Sequence, residues 1–241
     1  MTRKNAIVSR RSVISIENRS PHAATSGDLP SPSHVNAAPS RRLGRPAPRA
    51  AVLVSLFFAV THLAAATSAQ TYPRVLLRSD LGDIVVEIYE TAAPATAANF
   101  LTHVDQELFT GAHFYRVVRM NNQPDNEVKI EVIQGGLGFD ADSSTPPIAH
   151  ETTRDTGIHH LDGVLSMARL EPGTASSEFF ICVGDQPELD FAGARNSDGQ
   201  GFAAFGRVVE GMDVVKAIHR READGQMLLE PVEISTVRRL P

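Results

Sequence analysis

Two short runs carry side chains suited to chemistry. Phe114-Tyr115-Arg116-Val117-Val118 and Val132-Ile133-Gln134-Gly135-Gly136 are apolar and β-branched, and their polar side chains are Arg116 and Gln134. Such runs read as strands. Arg116 is a permanent cation with several N–H donors, and Gln134 can donate and accept at once. The pair suits hydrogen-bond recognition and charge stabilisation, not covalent attack. A charge in mid-strand is costly if it is buried unpaired, so Arg116 either faces solvent or lines a cleft. The glycines after Gln134 leave room for a close backbone approach.

Other chemistries find little support. No Gly-x-Ser-x-Gly elbow is present, and Ser166 lies mid-strand, which argues against a hydrolase. His159 and His160 are adjacent, so their rings point apart, and no carboxylate stands at a ligand-like spacing; no metal site is expected. Asn196-Ser197-Asp198-Gly199 looks like half of a calcium loop, but the downstream bidentate Glu is missing, so it reads as a turn. There is no phosphate loop or dinucleotide fingerprint, and no cofactor is expected. The single cysteine, Cys182, excludes an intrachain disulfide and reads as a packed core thiol.

The 241 residues divide into three stretches. Residues 1–40, rich in Ser, Pro, Ala and Asn, read as a disordered or untranslated extension. Residues 41–69 read as a signal peptide: Arg41, Arg42, Arg45 and Arg49, then the apolar run Ala50 to Val60, then small residues up to Ala69. Cleavage near Ala69 would give a periplasmic or secreted protein with no stable membrane insertion; the alternative is an uncleaved membrane anchor. Residues 1–69 hold nine basic and two acidic residues (+7), and the rest holds 14 basic and 26 acidic (−12). A main domain so acidic disfavours nucleic acid and anionic membranes.

Residues 70–241 read as one domain. Val75 to Ser79 and Ile84 to Tyr89 form a hairpin around Asp80-Leu81-Gly82-Asp83. Pro94 opens a helix with Ala97, Phe100, Leu101 and Val104 on one face. The Arg116 and Gln134 strands follow, separated by a loop. Residues 137–160 read as mostly irregular. Gly163 to Ala168, Glu178 to Val183, Phe202 to Val209 and Val232 to Val237 are further strands, a long loop covers Gly184 to Gly201, and Gly211 to Glu222 is a second helix. Seven or eight strands without βαβ alternation predict a closed antiparallel barrel or a sandwich with helices covering its ends.

Three blocks read jointly carry a resemblance: Phe114 to Val118 with Gln134-Gly135-Gly136; Gly163 to Ala168; and Ser177 to Cys182 followed by Phe202 to Gly206. From about Arg74 to Leu240 the chain resembles a cyclophilin-type peptidyl-prolyl isomerase of bacterial exported type. The resemblance implies a mainly β fold, a closed eight-stranded antiparallel barrel capped by two α-helices, acting as a monomer on proline-containing polypeptide segments. It implies Arg116 as the catalytic residue, with Gln134, Val132, Ala168, Phe180, Leu189 and Phe202 binding substrate. It departs from the family pattern at Tyr115, where His is common, at Glu131, where a pocket Phe is usual, and at Glu178, where Gln is usual. Arg169 replaces an Asn, Phe202 a pocket His, and no Trp stands near Glu188, so weak cyclosporin binding is expected. An acid beside Arg116, at Glu131 or Glu178, would compete with substrate. The insertion at residues 119–131 either closes over the pocket or extends it. The alternative function is a non-catalytic module that grips proline segments as a chaperone.

Overall fold

The computed structural model describes residues 71–138 and 145–241. The expected extension and signal peptide, residues 1–69, lie outside the described residues. The strands are β1 (Arg74–Ser79), β2 (Gly82–Ile88), β3 (Ala112–Val118), β4 (Val132–Gly136), β5 (Val164–Met167), β6 (Phe179–Cys182), β7 (Ala203–Glu210), β8 (Ala223–Asp224) and β9 (Met227–Leu240). The α-helices are α1 (Pro94–Asp105), α2 (Thr153–Thr156) and α3 (Met212–His219), and a 3-10 turn spans Pro187–Leu189.

Eight strands close into a barrel in the order β1-β2-β7-β5-β6-β4-β3-β9, with β9 returning to β1. All neighbouring pairs are antiparallel. Closure removes the free edges that an open sheet would expose. The two-residue β8 is an extra, paired with the start of β9.

Strict alternation fills the interior. Ile133, Leu165, Met167, Phe179, Ile181 and Phe205 point inward. Phe100 of α1 closes that core, its ring 5.3, 5.5 and 5.1 Å from those of Phe109, Phe179 and Phe205. The helix starts at Pro94 and buries Ala97, Phe100, Leu101 and Val104, as the sequence spacing predicts. Its first free N–H groups, on Ala95 and Thr96, donate to the Glu151 carboxylate at 3.1 and 2.8 Å. An anion there satisfies orphan donors and faces the positive end of the helix dipole.

The structure corrects the sequence reading in three places. The stretch read as irregular contains α2. Helix α3 stops at His219, because the chain turns into β8. Strand β9 begins at Met227 and runs through Pro231. Between Phe114↔Val232 and Arg116↔Met227 the β3–β9 ladder is irregular. Pro231 sits in that gap, where no ladder N–H is needed.

Candidate active site on the outer barrel wall

Arg116 is placed by a β-bulge. Plain alternation would give it the face of Phe114, which is buried in the barrel interior. The register of β3 shifts between Phe114 and Arg116 against both β4 and β9. Tyr115 is the extra residue. Phe114 and Val117 still face inward, while Tyr115 and Arg116 both reach the outer wall. There Arg116, Gln134, Phe180 and Ser166 stand in one register row across β3, β4, β6 and β5.

Arg116 is 3 % exposed, and its guanidinium is held by two glutamines. One terminal nitrogen donates to Gln134 Oε1 at 2.6 Å, Nε donates to Gln226 Oε1 at 3.0 Å, and the other terminal nitrogen also donates to Gln226 Oε1. Gln226 is oriented by its own Nε2, which donates to Asn122 O at 3.2 Å. Burial pulls the Arg116 pKa down to about 10, which leaves it cationic at neutral pH. Among the described residues no carboxylate lies within salt-bridge distance of it. Glu178 is engaged elsewhere: Tyr115 Oη donates to it, as do Gly138 N at 3.0 Å and Ser177 Oγ at 3.2 Å. Tyr115 Oη in turn accepts from Gln134 Nε2 at 3.0 Å. The departures at Tyr115 and Glu178 are therefore one unit, which orients Gln134 and spares Arg116 a competing acid. Burial raises the pKa of both Glu178 and Tyr115.

Gly136 makes room for that unit. Its φ is +145°, and a Cβ there would sit 2.6 Å from a Glu178 carboxylate oxygen. Gly136→Ala combines backbone strain with a clash, and is expected to destabilise the fold by about 1–3 kcal/mol. Denaturant titration measures this; an unchanged midpoint would mean that Glu178 moves aside freely.

Beside Arg116 lies a second apolar cluster, outside the barrel: Val118, Ile130, Val132, Phe180, Leu189 and Phe202, with Cys182 beneath and Ala168 packed at its edge. Every sequence-named site residue is thus brought to one place. Cys182 is buried as expected, in this outer cluster and not in the interior. Phe180 meets Phe202 edge-on, centroids 5.4 Å apart. Arg169 lies over the Phe202 ring at 5.2 Å and binds Asp198 at 2.7 Å. The insertion at 119–131 packs against this cluster through its end. Ile130 joins the cluster, and Gln123 braces the loop by donating to Arg119 O at 2.7 Å and Ile130 O at 2.8 Å. Leu189 and Phe202 are 0 % exposed. An open hollow of about 130 Å³, lined by Gln134, Ala168, Arg169 and Glu178 among others, adjoins this cluster at Ala168.

Residues 74–239 match the family model described as cyclophilin type peptidyl-prolyl cis-trans isomerase/CLD. The chain belongs to the cyclophilin-type peptidyl-prolyl isomerase family. Among curated relatives, peptidyl-prolyl cis-trans isomerase A of Dickeya dadantii is 34 % identical over 170 residues, covering 68 % of this chain and 80 % of that protein. Peptidyl-prolyl cis-trans isomerase B of Escherichia coli is 33 % identical over 148 residues, covering 60 % and 82 %. The crystal structure of a Cryptosporidium parvum cyclophilin type isomerase has the same fold, with a TM-score of 0.57 and 18 % identity over 71 % of this chain and 99 % of that one.

Against the Phe180 side of this apolar cluster lies a network that the sequence reading missed. Asp190 binds both His159 and His160, at 2.8 and 2.7 Å, so a carboxylate does reach the histidine pair, thirty residues downstream. His160 Nε2 meets Ser166 Oγ at 2.9 Å, and the imidazole stacks on Phe180 at 6.0 Å. The connectivity is Ser-His-Asp, but Ser166 is sealed from solvent in mid-strand, so this network props Phe180 and attacks nothing. In a neutral His160 ring, Asp190 accepts from Nδ1–H, which leaves Nε2 to accept from the Ser166 hydroxyl. Burial lowers the His160 pKa. The unfolded chain takes up a proton near the ordinary 6.5 and the native ring does not. Stability is therefore full above that value and falls as pH drops through it, with His150 adding in the same direction. Denaturation midpoints at about pH 5.5 and 7.5 should differ accordingly, and an NMR titration placing His160 at or above its ordinary pKa would contradict this account.

Proposed function

We propose that this cyclophilin accelerates cis-trans isomerisation of X–Pro bonds in exported polypeptides, with Arg116 stabilising the twisted amide. The observation that carries the reading is Arg116, fixed by Gln134 and Gln226 at the rim of the Val132–Phe180–Leu189–Phe202 cluster. Rotation of a peptide bond costs about 18–20 kcal/mol, because the nitrogen lone pair is delocalised into the carbonyl. X–Pro is the bond at which both isomers are populated and exchange is slow. A catalyst needs no nucleophile and no cofactor; it holds the ring, holds the flanking backbone and favours the twisted state. The apolar cluster suits the ring. Gln134 suits the backbone, with an amide hydrogen and a lone pair beyond those used by Tyr115 and Arg116. A guanidinium has five N–H donors. Three are engaged by the two glutamines among the described residues, which leaves two for the prolyl nitrogen as it becomes pyramidal. A bond made to a lone pair that exists only in the twisted state lowers the barrier selectively.

Export is supported by the layout of residues 41–69, a positive segment followed by an apolar run and small residues. The deciding experiment is cis-trans exchange of a short Ala-Pro peptide by NMR. Acceleration by the wild type is expected; binding without acceleration would favour the non-catalytic proline-binding module. Fractionation with N-terminal sequencing tests export, with a mature start near Gln70 as the expected result.

A further inference from the structure

The loop between Leu189 and Phe202 carries a second buried guanidinium that the proposed reaction does not use. Arg195 is 2 % exposed. Its backbone N–H donates to Glu188 O at 3.1 Å, next to Leu189. Its side chain donates to Val128 O at 2.5 Å, two residues from Ile130. Arg195 therefore spans the two loops that contribute Leu189 and Ile130 to the apolar cluster. Its Nε–H is buried without a partner. Among the described residues no carboxylate lies within salt-bridge distance of it, and the charge that acts on it most is that of Arg116. Burial, with Arg116 adding to it, pulls its pKa down to about 10.

A strut between two loops would not need this arrangement. One backbone carbonyl satisfies one terminal nitrogen, and a neutral amide could do as much without burying a charge. An uncompensated buried cation is costly, and a second cation nearby adds to the cost. The nitrogen that Val128 O engages is Nη1, whereas the unpartnered Nε–H shares its edge with the other terminal nitrogen, Nη2. That edge, unused among the described residues, is the one that binds carboxylates bidentately. An incoming carboxylate would supply the partner that the buried charge lacks, while Nη1 keeps its bond to Val128 O.

We propose that Arg195 is a specificity-determining residue, which selects substrates carrying a Glu or Asp side chain next to the proline. This rests on the isomerase reading above. The overall field works against it, since the chain from residue 70 onward carries −12. Long-range electrostatics would repel an acidic peptide, so a preference for acid must arise locally.

The test compares peptides that differ only in Glu-Pro, Gln-Pro and Lys-Pro, reading both NMR exchange rate and Kd with the wild type, Arg195→Gln and Arg195→Lys. The wild type is expected to favour Glu-Pro over its neutral isostere by about tenfold, equivalent to one ion pair of roughly 1.4 kcal/mol. Lys-Pro should be poorest. Arg195→Gln should bring the Glu/Gln ratio to about one, and Arg195→Lys should keep part of it, a graded response that a merely structural arginine would not give. Equal handling of Glu-Pro and Gln-Pro by the wild type overturns the proposal without any variant having to fold. So does a preference that survives Arg195→Gln. If no peptide is accelerated, the isomerase reading fails, and the Kd ratio alone still decides on Arg195.

Discussion

An Arg116→Ala variant is expected to isomerise an Ala-Pro peptide with kcat/KM lowered by about ten- to a hundredfold. A charge-assisted hydrogen bond contributes roughly 1.5–3 kcal/mol, and each tenfold in rate corresponds to about 1.4 kcal/mol. The fold should survive, because Arg116 stands on the outer wall and not among the interior side chains. Its loss leaves Gln134 Oε1 and Gln226 Oε1 without a donor, at a cost of about 1–3 kcal/mol unless water replaces it. Arg116→Lys separates charge from shape. An ammonium keeps the cation, but it cannot engage both glutamines and still present two parallel donors. It should retain roughly a tenth of the wild-type rate or less, since misplacement costs as much as loss when the bond must form only in the twisted state. The measurement is NMR exchange at saturating and subsaturating peptide. A fall in kcat with KM little changed is expected for a bond made in the transition state. Undiminished acceleration by Arg116→Ala would remove the arginine from the mechanism.

What the sequence made legible was local and periodic. Phe179 and Ile181 face inward while Phe180 and Cys182 face outward, as the alternation of β6 requires. The same holds for Leu165 and Met167 against Ser166, and the buried face of α1 follows its helical spacing. What stayed hidden depends on breaks in periodicity or on distant pairing. The bulge at Tyr115 reverses the face that alternation would give Arg116, and nothing in the residues around it marks the extra position. Gln226 grips Arg116 across 110 residues, from a hairpin too short to register as a strand pattern. Tyr115 and Glu178 look like two separate departures until a hydrogen bond joins them. Arg195 lies in a Gly/Asp/Asn-rich loop, where composition argues for solvent. Its partners are backbone carbonyls distant in sequence or set by the loop's own path, Val128 O and Glu188 O, and no residue type marks them.

The second large effect is expected at Phe180. Its ring meets Phe202 edge-on, with centroids 5.4 Å apart and planes at 88°, and lies nearly parallel to His160 at 6.0 Å. Phe180→Ala removes the centre of the outer cluster, and a Phe→Ala truncation in a packed site costs about 3–5 kcal/mol. For a domain of this size each kcal/mol lowers Tm by about 2–4 °C, so a drop on the order of 10 °C is expected. Activity should fall beyond what instability explains, because the same ring forms the floor of the site proposed for the prolyl group. The loss should appear as a raised KM when the assay is run well below the new Tm. Phe180→Leu refills most of the volume and should recover stability more than it recovers binding. A further consequence separates the ring's roles. Phe180 covers the neutral His160, and burial is what lowers the pKa of that imidazole. Opening the site to water should return its proton affinity toward the ordinary value, so the difference in stability between about pH 5.5 and 7.5 should shrink in Phe180→Ala. A variant with lowered Tm and an unchanged pH dependence would show that His160 owes its neutrality to groups other than this ring.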